Sequence, residues 1–184
     1  MMNIQKFPFP GAALLKSRPF SDERGHFERL FCHHELKALN LNKPIVQINY
    51  SITKKMGAFR GLHFQYPPYP EIKIVRCLKG AVFDVIVDLR QNSPTCLQWH
   101  GEELSEQNHA AMYIPEGCAH GFQVLKENSE LLYLHTEFYH PEAEGGLNVQ
   151  DPRLKINLPL PISEMSERDR QHSFLDEQFQ GIYV

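Results

Sequence analysis

Pro115-Glu116-Gly117-Cys118-Ala119-His120 reads as a turn that runs directly into a strand. Proline presets the turn dihedral and glycine takes the conformation that other residues avoid. On either side lie two short strands, Ala110 to Ile114 and Gly121 to Leu125. Further out, Leu131 to Tyr139 puts Leu131, Tyr133, His135 and Tyr139 on one side. Upstream, Leu78-Lys79-Gly80 is a turn between strands Glu71–Cys77 and Ala81–Arg90. In the latter, Ala81, Phe83, Val85, Val87 and Leu89 share one face; Val82, Asp84, Ile86, Asp88 and Arg90 share the other. Ile45 to Thr53 alternates as well, with Val46, Ile48, Tyr50 and Ile52 opposite Gln47, Asn49 and Ser51. Residues 32–40 read as one short helix ending at Asn40. Short alternating strands with Gly/Pro turns predict a mainly β protein, an antiparallel sandwich or barrel with a few short helices. No repeat or linker interrupts the chain, so residues 1–184 are expected to form a single domain. Its last part, about 160–184, loses the alternation and reads as loop and helix, with Ser166-Glu167-Arg168-Asp169 as a capping box.

The chain has 184 residues, 42% of them hydrophobic, enough for one sizeable core. A formal net charge of -3 with no long basic run argues against nucleic-acid or membrane-surface binding. No apolar run approaches the roughly 20 residues that span a bilayer. The N-terminal stretch lacks the apolar run and cleavage site of a secretory leader. Cys32, Cys77, Cys96 and Cys118 are spaced like neither a zinc ribbon nor a redox pair, so free thiols and a cytoplasmic location are expected.

Chemistry concentrates in Arg60-Gly61-Leu62-His63-Phe64-Gln65. Strand alternation puts Gly61, His63 and Gln65 on one face and Arg60, Leu62 and Phe64 on the other. An inward histidine beside a glycine suits a pocket. The Pro-x-Gly-x-x-His turn is of the kind found in double-sheet jelly rolls of the cupin type, where its histidine, here His120, points into the barrel mouth. Metal-binding cupins pair it with His-x-His on an earlier strand. That position here is His63-Phe64-Gln65, and two imidazoles with a neutral amide are a poor ligand set for a first-row metal. A barrel working without a metal is expected.

From Phe20 to Asp176 the chain resembles the dTDP-4-dehydrorhamnose 3,5-epimerase family, metal-free cupins that act on nucleotide sugars. The resemblance is carried by Asp22-Glu23-Arg24-Gly25, Gln47 with Asn49 and Ser51, Phe59 through Gln65, and Lys73-Ile74-Val75-Arg76. It continues through Phe83-Asp84-Val85, Val87-Asp88, Ile114 through Gly117, Ala119 through Phe122, Tyr133 and Tyr139. It implies a nucleotide-sugar substrate, no cofactor, and epimerisation at C3 and C5 of a 4-dehydro-6-deoxy-hexose. Such a reaction takes a proton from carbon beside a ketone and returns one to the opposite face, which requires a base, an acid and a donor at the enolate oxygen. The resemblance makes His63 the base, paired with Asp169, and Tyr133 the acid. Lys73 would stabilise the enolate. Arg24 and Arg60 match phosphate-binding arginines, and a guanidinium fork suits phosphate oxygens. His120, Gln47, Asn49, Tyr139 and Glu144 match residues lining the sugar and nucleotide pockets. Phe20 and Arg24 fall on an N-terminal strand that members of the family exchange across a homodimer.

One departure is notable. The family pattern Arg-Gly-x-Phe-x-Glu reads Arg24-Gly25-His26-Phe27-Glu28-Arg29 here, so Arg29 replaces a carboxylate that lies near the base. A carboxylate accepts from thymine N3–H, whereas arginine only donates, which opens a CDP- or GDP-linked sugar as an alternative substrate. Two tryptophans of the later family segments are also absent. A C3-only epimerase and a non-enzymatic sugar-binding cupin are the other readings.

Overall fold

The computed structural model describes residues 2–7 and 9–184. In chain order the strands begin with β1 (Asn3–Lys6), β2 (Ala13–Lys16), β3 (Phe20–Asp22) and β4 (Gly25–Phe27). A helical turn follows, α1 (His33–Leu36), continued as 3-10 helix over Lys37–Leu39. Then come β5 (Gln47–Thr53), β6 (Phe59–Gln65), β7 (Lys73–Lys79), β8 (Ala81–Asp88), β9 (Trp99–Ser105), β10 (Ala110–Ile114), β11 (Cys118–Val124), β12 (Ser129–His135) and β13 (Glu144–Gly146). The last element is α2 (Glu167–Gln171).

The strands form a six-stranded sheet, β1-β2-β10-β7-β12-β5, facing a five-stranded sheet, β13-β6-β11-β8-β9, with β3-β4 as a separate hairpin. Every pairing between these strands is antiparallel. This is the jelly roll of the cupin fold. Leu14, Val75, Met112 and Leu131 of one sheet meet Val82, Ile86, Phe122 and Val124 of the other in the core between them. Outside the six-stranded sheet, Leu36, Leu39 and Leu41 pack on Leu15, Ile74 and Tyr113. Outside the five-stranded sheet, Val85, Val87 and Ala119 are covered by Leu147, Val149, Met165 and Ile182. The alternation expected along β8 is therefore kept, with both faces buried.

The helix over 32–40 stops at Asn40, whose left-handed φ of 61° closes a bond from its N–H to the Lys37 carbonyl. Among the described residues no helix is long and apolar enough to cross a membrane. Several boundaries differ from the sequence reading. β7 runs through Leu78 and Lys79, and only Gly80, at φ 78°, makes the turn. β11 begins at Cys118, so His120 already lies within a strand, and β12 ends at His135, leaving Tyr139 in a loop. Strands β1, β2, β9 and β13 carry no clear alternation and were not expected.

β5 departs from the usual arrangement of faces. Gln47, Asn49 and Ser51 line the interior cavity, while Ile48, Tyr50 and Ile52 are 62%, 52% and 48% exposed. β5 is an edge strand, so its apolar stripe lies open beside an unpaired backbone edge.

Candidate active site

The site begins with an irregularity in β6. His120 of β11 pairs with His63, but Phe122 pairs with Arg60, so β6 holds one residue more than its partner between those pairs. Such a bulge resets the side-chain alternation. Arg60, expected on the face opposite His63, consequently lines the same cavity. Gly61 sits within the bulge at φ 115°. A Cβ there would lie 2.6 Å from Gly121 Cα and 2.7 Å from the His120 carbonyl oxygen. The glycine lets two backbones touch; it does not open pocket space.

A cavity of about 890 Å³ opens between the two sheets. The five-stranded sheet contributes Arg60, His63, His120 and Glu144, and the six-stranded sheet contributes Gln47, Asn49, Lys73 and Tyr133. Tyr139 and Asp169 reach it from loop and helix. Ten of the thirteen residues singled out in the sequence therefore meet there. Phe20, Arg24 and Arg29 do not. Phe20 and Arg24 stand on the β3-β4 hairpin, Arg24 paired with Asp22 at 2.6 Å and largely exposed. Arg29 is tied to Glu35 at 2.5 Å, while its neighbour Glu28 is buried against Arg76 at 2.6 Å.

His63 Nε2 lies 2.7 Å from Asp169 Oδ1. The Gly61 N–H donates to Asp169 Oδ2 at 3.3 Å, and the Asp169 N–H donates to Ser166 Oγ at 3.1 Å. Ser166 thus caps α2 as expected, but the carboxylate does not close the box and turns to His63. Burial alone would raise the Asp169 carboxyl; the His63 hydrogen bond and charge, with the Gly61 amide and Ser166, hold it below the usual range. With Nε2–H donated to the carboxylate, Nδ1 keeps the lone pair a base requires.

Arg168, which the sequence reading did not single out, places Nη2 3.2 Å from the same His63 Nε2 and donates from Nη1 to Glu144 Oε2 at 2.9 Å. Nε2 cannot both donate and accept; the shorter contact to an anion decides for donation to Asp169. Tyr139 donates its hydroxyl to the same Glu144 oxygen at 2.8 Å.

Across the cavity, Tyr133 Oη is 3.0 Å from Ser51 Oγ. Burial pushes the phenol up to about 12, so it keeps its proton at neutral pH. Lys73 Nζ lies 3.0 Å from Glu71 Oε1, and His135 Nδ1 lies 2.7 Å from Glu71 Oε2. Burial would raise the Glu71 carboxyl, but the Lys73 charge and the His135 hydrogen bond hold it low. Glu71 and His135 were also missed; the signal was Glu71 standing two residues before Lys73 on the same strand face.

His120 Nε2 is 2.7 Å from Asp84 Oδ1 in a fully buried pair, where burial raises the Asp84 carboxyl against the pull of His120. Gln65 spends its amide on the Tyr69 and Phe138 carbonyls and the His140 N–H. The amide is thus oriented by backbone groups on both its oxygen and its nitrogen. The arrangement supplies an oriented imidazole on one wall, a protonated phenol on the other, and the cations Arg60, Lys73 and Arg168 in the lining.

The family model for dTDP-4-dehydrorhamnose 3,5-epimerase matches residues 6–177. The chain belongs to this family. It is 42% identical to the Pseudomonas aeruginosa dTDP-4-dehydrorhamnose 3,5-epimerase over 179 residues, covering 92% of this chain and 94% of that one. The Sinorhizobium fredii enzyme of the same name is 38% identical over 187 residues, 100% of this chain and 96% of the relative. Among solved structures, the dTDP-6-deoxy-D-glucose-3,5-epimerase of Legionella pneumophila, in complex with dTDP-4-keto-L-rhamnose, superposes with TM-score 0.92 at 35% identity, covering both chains fully. This chain is accordingly an isomerase of the epimerase type.

Proposed function

We propose that this protein inverts C3 and C5 of a dTDP-linked 4-dehydro-6-deoxy-hexose. The observation that carries this reading is the His63–Asp169 pair on one wall of a cavity whose other wall carries Tyr133 and Lys73. His63 Nδ1 removes the proton beside the ketone, Asp169 stabilises the resulting imidazolium, and Lys73 stabilises the enolate oxygen. Tyr133 returns a proton from the opposite side. Deprotonation and reprotonation from opposite walls is what inversion requires. Arg60 serves the diphosphate; His120, Gln47, Asn49, Tyr139 and Glu144 hold the sugar and nucleotide. The reaction needs no redox change, and residues 1–184 act as one unit.

Phe20 and Arg24 serve the cavity of a second copy. Phe20 and Phe27 are 82% and 77% exposed on the hairpin, and β5 offers an uncovered apolar stripe and a free edge. Laying the hairpin of one protomer against β5 of another covers both. A homodimer with exchanged N-terminal strands is the assembly we read. Arg29, anchored to Glu35 outside the cavity, is compatible with a thymidine carrier. Four free thiols, two of them buried, fit the reducing cytoplasm.

Incubation with dTDP-4-dehydro-6-deoxy-glucose in heavy water tests the reading. NMR should show deuterium entering at both C3 and C5 with inverted product. No exchange at either carbon would exclude it.

A further inference from the structure

His172 has no part in the reaction just described, yet its ring lies against the His63 ring, centroids 6.0 Å apart at 73°. It sits just beyond α2 and covers Gly146 of β13, the residue paired directly with His63. A Cβ on Gly146 would fall 2.1 Å from His172 Nε2, so only glycine leaves room for the imidazole there. The backbone is pinned as well: Asn148 Nδ2 donates to the carbonyls of Arg170 and His172 at 3.2 and 3.1 Å. Even so, Nε2 of His172 is buried without a hydrogen-bond partner among the described residues, an arrangement that calls for a ligand.

One ligand atom each from His63, Asp169 and His172 lies within 4.8 Å of the other two. We propose that these three residues form an inhibitory site for a divalent transition-metal ion such as Zn2+. Two imidazoles and a carboxylate with an open fourth position are a donor set that zinc accepts. Bonds of about 2.1 Å in a tetrahedron put ligand atoms about 3.4 Å apart. The His63–Asp169 contact would open from 2.7 Å and His172 would close in, each by side-chain rotation. The metal replaces the proton on His63 Nε2, which passes to solvent. Arg168, whose Nη2 lies 3.2 Å from His63 Nε2, would oppose the ion, but Glu144, already bonded to Nη1, can hold its charge. Inhibition follows because the imidazole that serves as base becomes a ligand; that part rests on the function proposed above. A second His/Glu cluster, His26, Glu28 and His109, is a weaker competitor, since Glu28 is already bound to Arg76.

Co2+ is the probe, added to the full-length protein and followed by visible absorption alongside deuterium exchange. One Co2+ per chain should bind with the spectrum of a four- or five-coordinate ion. Exchange should fall in step with occupancy, Zn2+ should displace Co2+, and a chelator should restore activity. His172→Ala should turn over normally without metal, lose the spectrum, and need at least about tenfold more Zn2+ for inhibition. His172→Phe, which keeps a ring over Gly146, should behave the same. Equal Zn2+ sensitivity in both variants, or no bound Co2+ in a protein with normal exchange, overturns the site alone. A His172-dependent spectrum with exchange at full rate overturns inhibition and, with it, His63 as base.

Discussion

Asp169 lies 106 residues from His63 in the chain, yet its Oδ1 is 2.7 Å from His63 Nε2. A five-residue helix brings it there. Ser166 caps that helix through the Asp169 N–H, which frees the carboxylate to face the strand. Asp169 thereby fixes the imidazole tautomer.

Replacing His63 by alanine is expected to abolish deuterium exchange at both carbons. Asp169→Asn should keep the fold and lower kcat by roughly 10²–10⁴-fold, the usual worth of a positioned acid–base group. Near-normal exchange in His63→Ala would refute the base assignment.

Tyr133→Phe should separate the two half-reactions. Exchange of the first proton survives, while inverted product falls by at least an order of magnitude. Because the phenol is pushed up to about 12, no alkaline limb below about pH 10 should vanish in this variant. Comparison of the two pH–rate profiles checks this.

The depressed Asp169 carboxyl makes a signed prediction for stability. The native state binds this proton more weakly than the unfolded chain, so the stabilisation is present above the unfolded value near 3.8 and lost as pH falls through the lower folded value. Asp169→Asn should therefore flatten the acid side of the stability curve below about pH 4, read by urea unfolding at a series of pH values.

Gly61→Ala should destabilise the protein without touching a substrate atom. The positive φ alone costs about 1–3 kcal/mol, and the new methyl meets the Gly121 backbone at 2.6 Å. For a chain of this length each kcal/mol lowers Tm by about 2–4 °C. A Tm equal to that of the parent would show that the bulge relaxes.

Glu28 and Arg76 are both nearly buried, with side-chain exposures of 8% and 5%. Removing either partner strands a buried charge, so Glu28→Ala should cost about 3–5 kcal/mol in chemical denaturation. A change under about 0.5 kcal/mol, the range of ordinary surface substitutions, would show that water reaches the pair.

Arg24→Ala should raise KM with little change in kcat if the hairpin reaches a partner's cavity, because it would remove phosphate binding alone. A monomer in sedimentation with unchanged KM would remove the exchanged dimer.

Much of the β architecture was legible from the sequence alone, because period-2 alternation is local and the turns at Gly80 and Pro115–Gly117 are set by their own residues. The resemblance to the family, carried by motifs legible in the sequence, also pointed to ten of the residues that meet in the cavity. Tertiary structure decided the rest. Arg60 joined His63 because a bulge inserts one residue relative to β11, and no pattern within β6 announces what its partner strand holds. β5 turned its apolar side outward and set Gln47, Asn49 and Ser51 along the cavity, a choice between faces that alternation cannot make. Arg168, Glu71 and His135 reached the cavity, and His172 came to lie beside His63, only through packing between distant segments. Local sequence sets which side chains share a face; the register and contacts between elements set what that face meets.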